Sequence, residues 1–346
     1  MNIVALFRCL QPHVTATTLR QRSRRALALL GMTGRITMLG MSRWAGKGGS
    51  SRTVQRLFST VLPWAMLFWV CVRQQGYCPD DVSLVAGDAG IVTKAGKKTS
   101  GLDRFFSSLS GKPVPGLSFF PLSLVRVQQR RSFPMRVEQG VRSEAEQAVS
   151  KAKAAAKNPK SPREKRRPGR PKGSPNTPKT PVTLTPELVR LKAMLDALLH
   201  LIAQGLSVTS LVLDGHCGTH NALPMAQQCT MPLMAKLRCD AALSVPATGP
   251  SAGRGPRRTY GRKVDDDHIP VPYRTETTVE GHIETRLSQA HLLHKEFAHP
   301  WHVVLITKTP LRTQARAHVL LFSSDLALAC APLIDYDGLR FQIEIV

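Results

Sequence analysis

Six prolines fall between residues 159 and 178, in a stretch otherwise dominated by lysine, arginine and serine. Proline fixes φ and lacks an amide proton, so neither a helix nor an interior strand can run through such a stretch. The sequence therefore predicts a solvated linker or insert over residues 143–182. Any core must be assembled from chain on either side of it. Pattern divides the remainder into a helical region at 1–75, a strand-rich part at 76–142 and a helix-and-strand part at 183–247. An insertion at 248–300 and a closing part at 301–346 complete the expected organisation.

Charge follows the same divisions. The net charge is +25, and residues 1–60 contain ten Lys or Arg and no acid. Residues 151–180 contain eleven Lys or Arg against one acid, Glu164. Two concentrated basic modules beside a near-neutral core point to a polyanion, and nucleic acid is the expected partner rather than a membrane. The seven cysteines include no C-x-x-C pair and suit reduced thiols in the cytoplasm. The opening "MNIVALFRCLQPH" lacks the parts of a signal peptide, and the apolar run at 62–72 is too short to span a bilayer. A soluble, cytoplasmic, nucleoid-associated protein is expected.

Three stretches offer DNA contacts. Between residues 18 and 65, apolar-periodic segments are broken by "KGGSS", and Ser50 and Ser51 suit the start of a helix carrying Arg52, Gln55 and Arg56 on one face. Helix, Gly turn and basic helix suggest a helix-turn-helix, with Arg43, Lys47, Arg52 and Arg56 as DNA-binding candidates. A helical hairpin packing only on its own core is the alternative. "RRPGRPKGS" at 166–174 resembles an AT-hook, whose extended backbone inserts arginines into a narrow A·T minor groove. Its candidates are Arg167, Arg170 and Lys172, against a generic basic linker. "GPSAGRGPRRTYGRK" at 249–263 offers Arg254, Arg257 and Arg258 to the DNA backbone, or is a solvated loop.

Two apolar strands each end on an aspartate beside small residues: "LVAGDAG" gives Asp88 and "LVLDGHCG" gives Asp214. Strand carboxyl ends are where α/β sheets collect ligand groups. Hard oxygens from two such strands suit Mg²⁺ or Mn²⁺, which substrate phosphates would complete, as phosphodiester chemistry requires. A strand-end aspartate is also a common turn residue. "GKKTS" at 96–100 lacks the spacing of a phosphate loop. His216, Cys217 and His220 lack a fourth zinc ligand. His282, His291, His294 and His299 read as surface or core residues.

Longer stretches carry a resemblance. "LVAGDAGIVTKAGKKTSGLDRFFSSLSGKPVPG", "LVLDGHCGTHNAL", "VEGHIETRLSQAHLLHKEFAHP" and "LRFQIE" resemble DDE-type transposases of bacterial insertion sequences. The resemblance runs from about residue 33 to the end. It implies an α/β, RNase H-like mixed sheet flanked by helices, built from 76–142, 183–247 and 301–346. It also implies a β-rich insertion and an all-α DNA-binding region at the N-terminus.

By the same resemblance Asp88, Asp214 and Glu344 are the metal-binding catalytic acids, with Glu344 on a helix after the last strand. Arg340 fits the family's Tyr-x₂-Arg-x₃-Glu-x₆-Lys pattern, with Asp337 where Tyr is expected and the Lys position at 351. The implied activity is metal-dependent cleavage and strand transfer at transposon ends. The implied partners are terminal-repeat and target DNA, and a homodimer on paired ends is allowed. The tail "DYDGLRFQIEIV" reads as the first turn of the acid-bearing helix, interrupted just after Glu344, so this chain is expected to lack strand-transfer activity. The alternatives are a non-enzymatic DNA-binding remnant and a metal nuclease of RNase H type.

Overall fold

A computed structural model describes residues 7–46, 49–75, 78, 80–96, 98–107, 110–157, 183–203, 205–215, 221–248, 259–264, 273–297 and 299–345. Four helices open it: α1 (Ala16–Gly31), α2 (Met38–Trp44), α3 (Ser51–Ser59) and α4 (Trp64–Gln75). Thr15 and Thr37 cap the first two by accepting from the amides of Thr18 and Gly40. Ser50 holds the cap position of α3, although its side chain makes no capping hydrogen bond. The first three helices pack together around buried Ala28, Met41 and Val54. The apolar run at 62–72 forms most of α4, whose Trp69 and Val72 are built into the main core. Among the described residues no single helix is long and apolar enough to cross a membrane.

The main core surrounds one mixed sheet. β1 (Ser83–Gly87), β2 (Gly90–Thr93), β3 (Asp103–Ser107), β4 (Lys112–Arg126) and β5 (Arg131–Gln139) form its first half. Two helices follow, α5 (Glu144–Lys157) and α6 (Pro186–Ile202), then β6 (Ser210–Leu213), α7 (Ala222–Gln228) and β7 (Leu233–Leu237). The closing part contains β8 (Leu243–Pro246), β9 (Tyr260–Lys263), β10 (Arg274–Glu280), β11 (Ile283–His294), β12 (Trp301–Pro310) and β13 (Ala317–Ser323). Helix α8 (Cys330–Arg340) and a 3₁₀ stretch at Phe341–Ile345 end the described chain. The sheet order is β2-β4-β1-β6-β7-β13-β12-β11-β8-β9, with β3 and β5 on β4 and β10 on β11. At its centre β1, β6 and β7 run parallel, and β4 lies antiparallel beside β1. This is the expected α/β, RNase H-like arrangement.

Strand alternation divides the core into two layers. Val85, Leu211 and Leu213 face α4, α6 and α7, where Leu191, Met194, Leu195 and Leu198 complete the packing. Leu84, Ala86 and Val212 face the other way, onto Leu333, Tyr336 and Leu339 of α8. Burial on both faces explains why these strands read as continuous apolar runs.

Two expectations are revised. Residues 144–157 of the expected linker are helical, because this stretch is rich in Ala, Glu and Lys, and no proline occurs before Pro159. Ser143 and Glu146 form a reciprocal capping box: Ser143 N donates to Glu146 Oε2 at 2.7 Å, and Glu146 N to Ser143 Oγ at 3.3 Å. β7 and β8 are separated at the Arg238–Asp240 ion pair. The tail is not the first turn of a helix. It is the second half of α8 and its 3₁₀ extension, and Leu333, Tyr336, Leu339 and Ile343 make one buried stripe along them. The period is invisible unless the preceding turn from Cys330 is included.

Candidate active site

Gly87 at the end of β1 pairs with Leu213 at the end of β6. The next residue on each strand is an aspartate. Parallel pairing therefore delivers Asp88 and Asp214 to the same end of two adjacent strands. Gly87 allows the close packing behind them: a Cβ there would meet Leu213 Cδ2 and the Phe120 ring at 3.0 Å. Gly215, just after the second aspartate, lies where a Cβ would meet the Lys236 carbonyl oxygen at 3.2 Å. Asp88 Oδ1 also accepts from the Ala89 amide at 2.8 Å, which fixes the carboxylate's rotation.

Helix α8 brings Arg340 across this end of the sheet. Its Nη1 donates to Asp88 Oδ2 at 3.0 Å, and its Nη2 lies 3.5 Å from Asp214 Oδ1. Its Nε is 3.9 Å from Asp337 Oδ1, one turn earlier on the helix. Asp337 in turn meets Lys236 Nζ of β7 at 3.3 Å. The Phe341 ring lies under both cations, 4.5 Å from Arg340 Cζ and 4.4 Å from Lys236 Nζ. The cluster contains three carboxylates and two cations, so it is nearly neutral and its charges are paired.

Asp88, Asp214 and Arg340, singled out from sequence, therefore meet in space. Glu344 lies in the 3₁₀ stretch just after buried Ile343, and its side chain falls outside the described residues. The backbone leading to it is anchored through Ile343 in the layer beneath α8 rather than frayed. Sequence reading missed Lys236 and the role of Asp337. A lysine in the otherwise apolar β7, beside the second aspartate strand, was the available signal. Asp337 is three residues before Arg340, a spacing that places both on one helix face.

The two aspartates suit a hard divalent cation, which uses one or two carboxylates and keeps other positions for water and phosphate. Their oxygens already converge on a positive charge, the guanidinium. Among the described residues no cluster of three or more His, Cys, Asp and Glu side chains is arranged to hold a metal. Of the DNA-binding candidates, Arg43, Arg52 and Arg56 are exposed on α2 and α3. Lys47, Arg167, Arg170, Lys172, Arg254, Arg257 and Arg258 lie outside the described residues, as do His216, Cys217 and His220.

No curated protein matches the chain. Residues 9–294 match the family described as DDE superfamily endonuclease, a span that contains both strand-end aspartates and ends before α8. With that match covering most of its length, and with the two aspartates paired across parallel strands inside it, the chain belongs to the DDE superfamily endonucleases.

Proposed function

We propose that the chain is the DNA transposase of an insertion sequence, cutting phosphodiesters at the element's ends and joining the freed 3′-hydroxyl to target DNA; the buried anchor at Ile343 favours activity over the loss expected from the tail's sequence. The observation that carries this reading is the in-register pair Asp88 and Asp214, spanned by Arg340. Family membership makes DNA the substrate and a divalent metal the expected helper. Asp88 and Asp214 would hold Mg²⁺ or Mn²⁺, and Glu344 is proposed as the third acid. The bound metal supplies Lewis-acid stabilisation of charge developing on the reacting phosphate.

The chain's own residues do the rest. Arg340 can hydrogen-bond a phosphate through two parallel N–H groups. Asp337 and Phe341 orient it, and Lys236 adds a second positive charge at the same edge. Arg43, Arg52 and Arg56 would hold the terminal repeats, with α3 as the reading helix. A second reading, a DNA-binding protein that does not cleave, is favoured by one observation: Arg340 already neutralises the acid pair.

The experiment is to incubate the chain with duplexes carrying the element's ends and Mg²⁺ or Mn²⁺. Nicking at the ends is expected, and its loss in Asp88→Ala and in Asp214→Ala assigns it to this site. Footprint protection of the ends without nicking would support the second reading. Nicking without end protection would indicate a general nuclease.

A further inference from the structure

The acid pair is held by a cation that belongs to the chain itself. The Arg340 side chain is 3% exposed, whereas those of Asp88 and Asp214 are 17% and 35% exposed. A buried guanidinium is tolerated only when its charge is matched and its donors are used. Here Asp88, Asp214 and Asp337 match the charge at 3.0, 3.5 and 3.9 Å, while among the described residues Arg340 Nε has no hydrogen-bond partner. The arrangement is therefore mutual: the acids need a cation, and the arginine needs the acids.

A divalent ion on the same oxygens would crowd like charges into one small volume beside a guanidinium that is itself buried, where water screens their repulsion only in part. One cation must yield to the other. The guanidinium has a way out. Phe341, against which it stacks, is 41% exposed, so the ring beneath the guanidinium reaches the surface. A guanidinium sliding along that face keeps its cation–π contact while it gives up the carboxylates. A DNA phosphate is the best replacement partner available to it.

We infer that Arg340 is the resident counter-cation of the Asp88–Asp214 pair, and that a divalent metal and a DNA phosphate enter by exchange with it. The metal takes the carboxylates and the phosphate takes the arginine. Metal and DNA binding are then linked, and linkage is reciprocal: each ligand tightens the other by the same factor. This inference rests on the reading of the acid pair as the cleavage centre. It adds an order to events there, since metal loads poorly until DNA draws the arginine away.

The test is calorimetric titration of the full chain with Mn²⁺, with and without a short duplex. Wild type is compared with Arg340→Gln, and Asp88→Asn identifies the heat that belongs to this site. Without DNA, Arg340→Gln is expected to bind Mn²⁺ about tenfold more tightly than wild type, within the usual range of coupling between sites. The duplex is expected to tighten Mn²⁺ binding by wild type and to leave the variant nearly unchanged. Equal or weaker Mn²⁺ binding by Arg340→Gln overturns the inference, because an arginine that merely positioned the acids would weaken metal binding when removed. An equal effect of DNA on both proteins also overturns it. If the variant does not fold, wild type alone decides: the duplex must tighten Mn²⁺ binding several-fold, and Mn²⁺ affinity unchanged by the duplex overturns the inference. Absence of cleavage with this pattern intact would sink the transposase reading alone. End-specific cleavage without the pattern would sink the exchange alone.

Discussion

Gly87 shows how one missing carbon shapes the site. The residue immediately before Asp88 sits against Leu213 and Phe120, and Leu213 is fully buried with no room to retreat. Gly87→Ala would force β1 away from β6 or displace the Phe120 ring. Overpacking of this kind costs about 1–3 kcal/mol. The strain falls one residue from the Asp88 carboxylate, so cleavage should fall more steeply than stability. Urea denaturation paired with the nicking assay checks this; an unchanged urea midpoint together with full nicking would show that the packing is not limiting. At this scale the aspartates were legible, because an apolar run that stops on an acid is a local pattern. Arg340 was legible only by resemblance. Its contacts reach 252 residues back along the chain, and no local pattern records such a pairing.

Among the elements, β12 contains a titratable group that the proposed chemistry does not use. His302 is buried, with neither ring nitrogen hydrogen-bonded among the described residues, and faces His291 of β11 at a ring-centroid separation of 5.6 Å. Burial, reinforced by His291 and opposed by Asp325, holds its pKa below the usual histidine range. An unfolded chain therefore takes up a proton near pH 6.5 that the folded chain refuses. Stability is complete above that pH and declines as pH falls through and below it. Urea midpoints measured from pH 7.5 down to about 5.5 should drop in wild type and flatten in His302→Gln; parallel curves would remove His302 from the account.

The same scale shows where sequence reading fell short. Helix α6 was legible from Thr185, Pro186 and the leucine period, all within one segment. Helix α5 was hidden by composition: a window that included the prolines averaged a capped helix into a linker. Helix α8 was hidden by its ends, since an apolar stripe of one turn fits strand and helix equally.

For the molecule as a whole, the excess charge lies in parts of the chain other than the sheet strands. The sheet and its helices pair many of their acids and bases, as at Arg190–Glu146, Arg142–Asp103 and Arg340–Asp88. The excess lies in residues 1–60 and 151–180. Exposed Arg52 and Arg56 project from α3, which packs on α1 and α2, whereas α4 joins that region to the main core. In sequence the basic segment 158–182 connects α5 and α6, two helices joined by the Arg190–Glu146 pair at 3.2 Å.

A generic basic linker and an AT-hook make different demands on DNA, and Arg167, Arg170 and Lys172 separate them. A generic linker contributes only phosphate neutralisation. Replacing the three residues with glutamine would then lower affinity equally for all sequences, and the slope of log K against log salt would flatten by roughly 0.9 for each phosphate no longer neutralised. Arginines inserted into a narrow A·T minor groove also respond to groove width. The triple variant should then lose affinity for an A·T-rich duplex by about tenfold more than for a G·C-rich one, a difference of about 1.4 kcal/mol. Fluorescence anisotropy on the two duplexes across a salt series measures both quantities at once. The AT-hook reading predicts a larger loss on the A·T duplex at every salt concentration. Equal losses with equal flattening would reduce the segment to a counter-charge for the DNA backbone, and would leave sequence recognition to the helices at the N-terminus.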